Sequence, residues 1–378
     1  MKTCRAAAVG LALWALLFAP AARSRDWKVA VPDYEWSFPR DHWSHEGYRV
    51  EWWYLTGHLT TEAGRRFAYQ FTLFRVGVVP VGSEPVSLDS DWAASSFLMG
   101  HAAITDIDAK RHVFSEVLYR EIPLLGGVGA FPDPPIGWSR GPAGTSQTWD
   151  ILWNGDAFDV SMRDDDQGIA LSLSTHPLKP FVFQGPNGFS RKGDGAGAAS
   201  QYYSFTRLAT SGELEIGGTR AAVRGVSWMD KEFSSSQLGP EQVGWDWFSL
   251  QLDDGRELML YLMRRNDGST DYQNGTLVAE DGSVRYLEPS QATVEVLDTW
   301  TSPETEARYP ARWRIALPGE DSVMEVRPVL ADQENRSRLP GGVYYWEGAV
   351  DVLDGESETI GRGFVELTGY GENNRPPI

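Results

Sequence analysis

Hydrophobic and polar positions alternate in short runs along most of the chain. That two-residue period belongs to a strand with one face turned to a core. Runs rich in Val, Tyr, Phe, Trp and Thr recur at Arg66 to Val76, Thr148 to Trp153, Phe158 to Met162, Ile169 to Thr175, Ser283 to Leu287 and Gly341 to Val352. Gly, Asp and Asn separate them, as turns require. No long stretch spaces apolar residues by three and four, so long helices are not predicted. Many short strands with tight turns predict an all-β architecture of barrels or sandwiches.

One hairpin pattern occurs twice. EWWYLTGHL (Glu51 to Leu59) leads through TTEAG into RRFAYQFTLFR, and GWDWFSLQL (Gly244 to Leu252) leads through DDG into RELMLYLMRR. Trp52 and Trp245 begin the two hairpins, and Arg75 and Arg264 end their second strands. An internal echo of this kind predicts two similar units in tandem, over residues 27–214 and 215–378, with the boundary near Gly212 to Gly218. Val79 to Ala94 and Gly126 to Thr145 are rich in Gly, Pro and Ser and predict long surface loops. Gln184 to Ser200 predicts a flexible loop with a basic centre at Arg191 and Lys192, near a barrel mouth.

Composition narrows the function. The formal net charge is −18 over 378 residues, a field that repels nucleic acid and anionic membranes. Sixteen tryptophans suit strand faces and pocket walls. Residues 1–22 have the pattern of a secretory signal peptide: Lys2 and Arg5, an apolar run from Ala6 to Phe18, then Ala19-Pro20-Ala21. The expected location is therefore exported, periplasmic or secreted. Cys4 is the only cysteine. Once the leader is removed, disulfides, thiolate catalysis and cysteine metal sites are excluded. His42 and His45, and His101 and His112, form no metalloprotease motif, so no metal is expected. No G-x-S-x-G elbow occurs, and Ser234, Ser235 and Ser236 read as loop residues bonding locally. No cofactor is expected.

Five segments, EWWYLTGHL, FLMGHAAITD (Phe97 to Asp106), ASQYYSFTRL (Ala199 to Leu208), VSWMDKEFSSSQLG (Val226 to Gly239) and GWDWFSLQL, stand in an order and spacing that resembles the AttH and carotenoid 1,2-hydratase family. The resemblance spans about Trp27 to Tyr370. It implies two tandem lipocalin-like antiparallel β-barrels packed together, with a pocket for a long apolar molecule such as an isoprenoid. Within that motif the hydratases carry a His and a Trp after the aspartate, where this chain has Lys231 and Phe233. Tyr261 matches a hydratase tyrosine, and Met263 stands where its acid would be. These departures point away from carotenoid hydration itself.

Alkene hydration needs a strong acid to protonate carbon and aromatic faces to stabilise the cation. Asp230, Glu232 and Asp246 are candidate acids, with Tyr261 beside them. Trp228, Trp245 and Trp247 are candidate walls. The competing structural account has these acids bonding backbone amides at a barrel end, with the tryptophans in the core. Lys231 could pair with Glu232 or Asp230. In the first unit Glu51, Trp53 and Leu55 share one strand face, and Trp52 and Tyr54 share the other. One face is expected inside the barrel and the other against the second unit. Glu51 would need a buried partner, with Arg75 or Arg207 the natural choices. His58, His101, Tyr203 and Arg207 join the ligand-binding set through the family motifs, although a strand histidine is more often structural than catalytic.

Three functions remain open at this stage. The first is an exported protein binding an apolar, isoprenoid- or lipid-like molecule. The second is a hydratase or isomerase using Asp230 or Glu232 as acid. The third is an accessory partner of an envelope transport complex. Oligomeric state is left open.

Overall fold

The computed structural model describes residues 26–80, 94–195, 197–320, 322–339 and 342–376. The leader-like residues 1–22 and most of the Val79 to Ala94 segment lie outside them. Among the described residues the chain is strand and turn with short 3-10 turns and no α-helix. Two curled antiparallel sheets form, one a nearly closed barrel and the other a half-barrel.

The first sheet runs in the order Arg111–Arg120, Ser96–Asp106, Arg66–Gly77, Val50–Thr60, Thr219–Ser234, Ala199–Ile216, Ile169–Pro177, Phe158–Asp164, Thr148–Trp153, Pro135–Arg140 and Gly126–Val128. It curls until its two ends meet. Trp149 packs on Gly100, Leu73 on Gly137 and Leu98 on Gly126, close approaches that a side chain on each glycine would obstruct. The second sheet runs Val284–Leu287, Thr270–Val278, Glu257–Arg265, Gln242–Leu252, Thr359–Leu367, Tyr344–Leu353, Ser322–Pro328, Arg308–Leu317 and Thr293–Thr301.

The echoed hairpins take equivalent places. Val50–Thr60 pairs with Arg66–Gly77, and Gln242–Leu252 with Glu257–Arg265. Their turns use Gly64 and Gly255 at φ 83° and 85°, which an L side chain adopts only under strain. The sheets do not divide at residue 214. Gly217 and Gly218 form the turn of a long hairpin whose arms, Ala199–Ile216 and Thr219–Ser234, both belong to the first sheet. The chain changes sheet between Ser234 and Gln242. The glycine pair signals a turn, and nothing local distinguishes a turn within a sheet from one between sheets. Gly126 to Thr145 also departs from the loop expectation, since it contributes the strands Gly126–Val128 and Pro135–Arg140. Gln184 to Ser200 is pinned by the short strand Phe189–Arg191, paired to Ala199–Ile216.

Among the described residues, large side chains pack both interiors. Trp43, Trp53, Trp149 and Phe158 fill the first. Phe248, Trp313 and Trp346 fill the second. Inside the first barrel lies an ionic centre. Glu51 accepts hydrogen bonds from Ser44 Oγ at 2.5 Å, the His45 amide at 2.9 Å and Lys231 Nζ at 2.7 Å. Arg75 stands 3.6 Å away, and the Lys231 ammonium sits 3.4 Å from the Trp53 ring centre. Lys231 therefore pairs with Glu51, not with Glu232 or Asp230, because strand alternation turns it to the opposite face. Arg207 serves Glu257 instead, at 2.5 Å. Burial by itself would raise the Glu51 carboxyl, but Lys231, the His45 bond and Arg75 hold it well below the usual range. Burial lowers Lys231 to about 8 against the pull of Glu51.

Removing one partner of a buried pair strands the other charge. Glu51→Gln is therefore expected to cost about 3–5 kcal/mol in urea unfolding. A loss of only about 1 kcal/mol, typical of an exposed pair, would show that this ion pair does not hold the barrel.

Candidate functional site

The strand Thr219–Ser234 is buried on both faces over its second half. Met229, Lys231 and Phe233 point into the first barrel, while Trp228, Asp230 and Glu232 point at the second sheet. Its neighbour is in matching register. Tyr54 lies opposite Asp230 and Trp52 opposite Glu232 on one side; Ser204 and Tyr202 lie opposite the same two acids on the other. The facing wall comes from Trp245, Trp247, Tyr261, Met263 and Glu366. Between the walls is a cavity of about 290 Å³. That volume is near the lower limit of small-molecule sites.

Asp230 carries the strongest chemical signal. It is 3% exposed. It accepts hydrogen bonds from Tyr202 Oη at 2.7 Å, Ser204 Oγ at 2.5 Å and Trp228 Nε1 at 2.7 Å. Burial pushes its carboxyl up to about 7, against those three donors and with help from Glu232. Tyr202 in turn accepts the Trp247 indole N–H at 3.2 Å. Glu232 is handled differently. Lys192 Nζ lies 3.0 Å from it, Gln237 donates at 3.2 Å, and Ser200 donates as well. The Lys192 ammonium also lies 4.1 Å from the Tyr261 ring centre. Two acids one turn of the pleat apart thus sit in different electrostatic settings, one raised by burial and one beside a cation.

The second sheet adds acids that motif reading overlooked. Trp245 Nε1 donates to Glu366 Oε2 at 2.8 Å. Burial, with Glu232 and Asp230 nearby, raises Glu366 to about 7. Tyr54 Oη donates to Glu347 Oε1 at 2.6 Å, and burial beside Glu366 raises Glu347 well above the ordinary range. One signal could have marked Glu347. It is an acid inside the apolar run Tyr344–Leu353, at a position whose alternation makes it buried. Lys192 and Tyr202 carried no comparable signal.

The remaining predicted residues scatter. Trp52, Tyr54, His101, Trp245, Trp247 and Tyr261 line the cavity with Asp230 and Glu232. His101 Nδ1 lies 2.8 Å from Tyr345 Oη, and burial lowers the imidazole to about 4, so it is a neutral wall residue at neutral pH. His58 Nε2 meets the Gly363 carbonyl at 2.9 Å and ties the two sheets together, away from the cavity. Glu51, Trp53, Lys231 and Tyr203 are inside the first barrel, Tyr203 against His42 at 2.7 Å. Asp246 is inside the second sheet, bonded to Arg264 at 2.7 Å and Tyr370 at 3.0 Å. Strand alternation separates it from Trp245 and Trp247, so it does not reach the site. Arg207 with Lys179 and Glu257 forms an inter-sheet ion cluster. Among the described residues no three His, Asp or Glu side chains converge as metal ligands, and no helix is long and apolar enough to cross a membrane.

Comparison with known proteins agrees with this architecture. The model of the AttH-like family matches residues 29–370. A protein of Nitrosomonas europaea assigned to AttH has a solved structure with 32% identity and a TM-score of 0.80, covering 91% of this chain and all of that one. Kievitone hydratase of Nectria haematococca shares the fold at 12% identity and a TM-score of 0.62, covering 91% of this chain and 96% of that one. The dehydratase asqC of Emericella nidulans is 20% identical over 270 residues, which is 67% of this chain and 73% of that protein.

A carboxyl whose folded value is raised binds its proton more tightly in the native state. Its favourable contribution is present at acid pH and is lost as pH rises through the ordinary carboxylate range to about 7. Asp230→Asn is expected to gain on the wild type over that interval, by on the order of a few kcal/mol. Unfolding midpoints measured across pH check this. A stability difference independent of pH would show that Asp230 titrates normally.

Proposed function

The chain belongs to the AttH-like family, and from that premise we propose that it is an enzyme adding water to, or removing it from, an apolar substrate, with Asp230 as the acid. One observation carries the reading: a buried carboxyl, brought to about 7, opens on an aromatic-walled cavity. A plain carrier needs no desolvated acid at its wall, because apolar burial alone contributes roughly 25 cal/mol per Å². The names of two relatives, a dehydratase and a hydratase, fit water chemistry.

The cycle follows from the residues present. Protonated Asp230 gives its proton to one alkene carbon, so its O–H bond and the π bond break and a C–H bond forms. The faces of Trp52, Trp245 and Trp247 stabilise the cation. The cavity can admit one water, whose oxygen forms the new C–O bond, and in the simplest cycle the Asp230 carboxylate takes back the proton that water sheds. Dehydration is the reverse. A cavity of about 290 Å³ holds a short isoprenoid or one end of a longer one. The leader-like first residues place this chemistry outside the cytoplasm in our reading.

A carrier role for the same cavity is the second reading, favoured by Met263, which presents an apolar wall where the hydratases have an acid. The two separate by assay. Full-length protein is incubated with an acyclic isoprenoid bearing a trisubstituted double bond, in water enriched in heavy oxygen. Incorporation of one labelled oxygen is expected, falling as pH rises through about 7. Asp230→Asn should lower the rate roughly 10²–10⁴-fold. Turnover unchanged by that substitution would end the assignment. Tight retention of the isoprenoid without turnover would favour the carrier.

A further inference from the structure

Glu347 and Glu366 are direct cross-strand partners in the second sheet. Residues so placed on one face hold their Cβ atoms about 4.5–5.5 Å apart. Glu347 is 2% exposed. Glu366 is half-buried and lines the cavity between the sheets. Neither has an ion-pair partner among the described residues. The groups facing them from the first sheet are Tyr54, Asp230 and Glu232, and from their own sheet Tyr345 and Trp245; these add negative charge and hydrogen-bond donors but no cation. The ammonium of Lys192, the nearby one among the described residues, is committed to Glu232.

Two carboxylates cannot both stay charged in such a place. The hydrogen bonds say which one keeps the proton. Glu347 Oε1 has its donor, Tyr54, whereas its Oε2 is buried with no partner. An orphan carboxylate oxygen is costly. Protonation turns it into a donor, and its cross-strand partner Glu366 offers a carboxylate on the same strand face.

We propose that Glu347 and Glu366 share one proton, held on Glu347, and that the Glu366 carboxylate is the base that receives the proton of the attacking water on the wall opposite Asp230. The proposal rests on the hydratase reading for its role in turnover, while the shared proton stands by itself. The step balances. Asp230 has already lost its proton to carbon. As the water oxygen donates its electron pair to the cation and the C–O bond forms, one water O–H bond breaks and Glu366 becomes a carboxylic acid. Glu366 then releases one proton to solvent, and Asp230 takes one up. Glu347 touches no substrate; it is a positioning residue that keeps Glu366 deprotonated and aimed. Acid and base on opposing walls add proton and hydroxyl to opposite faces of the double bond.

The shared proton is tested without a substrate. Full-length protein is labelled at glutamate side-chain carboxyls and titrated by carbon NMR. One carboxyl is expected to stay protonated far above the ordinary range and another to titrate near 7. Glu347→Gln should remove the first and, because an amide N–H is a weaker donor to the Glu366 carboxylate than the acid O–H, move the second upward. Two glutamates titrating in the ordinary range, or a Glu366 midpoint unmoved by Glu347→Gln, would overturn the pair. If that variant does not fold, Glu366→Gln must lower the Glu347 midpoint, or the pair is refuted. For the catalytic role, Glu366→Gln should slow hydration of the acyclic isoprenoid by about 100-fold, and the reaction in deuterium oxide should place deuterium and hydroxyl on opposite faces. Same-face addition would overturn Glu366 as base and leave Asp230 as acid. An intact shared proton without turnover would count against the hydratase reading alone.

Discussion

A strand buried on both faces must sort its charges by parity, and Thr219–Ser234 is such a strand. Lys231 has no water on its side, so it requires Glu51 inside the first barrel. Asp230 and Glu232 project the other way, into the seam between the sheets. Had Lys231 pointed into the seam, it would have neutralised Asp230 and removed the acid. The Glu51–Lys231 pair thus does two things: it matches two buried charges inside the first barrel, and it keeps that cation away from Asp230.

The seam is where function can reside, because both barrel interiors are already packed. Burial there acts on acids that differ in what else surrounds them. Lys192 answers Glu232. Hydroxyl and indole donors surround Asp230 without a cation. Glu347 lies opposite Glu366 across the strands, with Tyr54 donating to the first and Trp245 to the second. Desolvation raises a carboxyl unless a charge or enough donors oppose it, and this seam supplies too few. Burial therefore raises Asp230 and Glu366 to about 7, beside the rings of Trp52, Trp245 and Trp247.

The tandem hairpins help to make this arrangement. Each opens with a tryptophan that faces outward from its own barrel, Trp52 in one and Trp245 in the other. When the sheets pack, both tryptophans reach the same cavity. Asp246 illustrates the constraint from the other side. It sits between Trp245 and Trp247 in the chain, yet a pleated strand sends it to the opposite face, where Arg264 and Tyr370 hold it.

The chain's own pattern determined the all-β class, the repeated hairpin, the family resemblance and the division of faces at Glu51, Trp52, Trp53 and Tyr54, because each follows from a local two-residue period or an ordered motif. Asp230 and Glu232 were legible for the same reason. Tertiary structure alone decided that the first sheet runs on to Ser234, that the cavity lies between sheets, that Lys231 serves Glu51 and that Lys192 serves Glu232. It alone brought Glu366 and Glu347 opposite each other and against Asp230. Register between strands and packing between sheets join residues more than a hundred positions apart, and the desolvation that changes an acid's chemistry depends on that joining rather than on its neighbours in the chain.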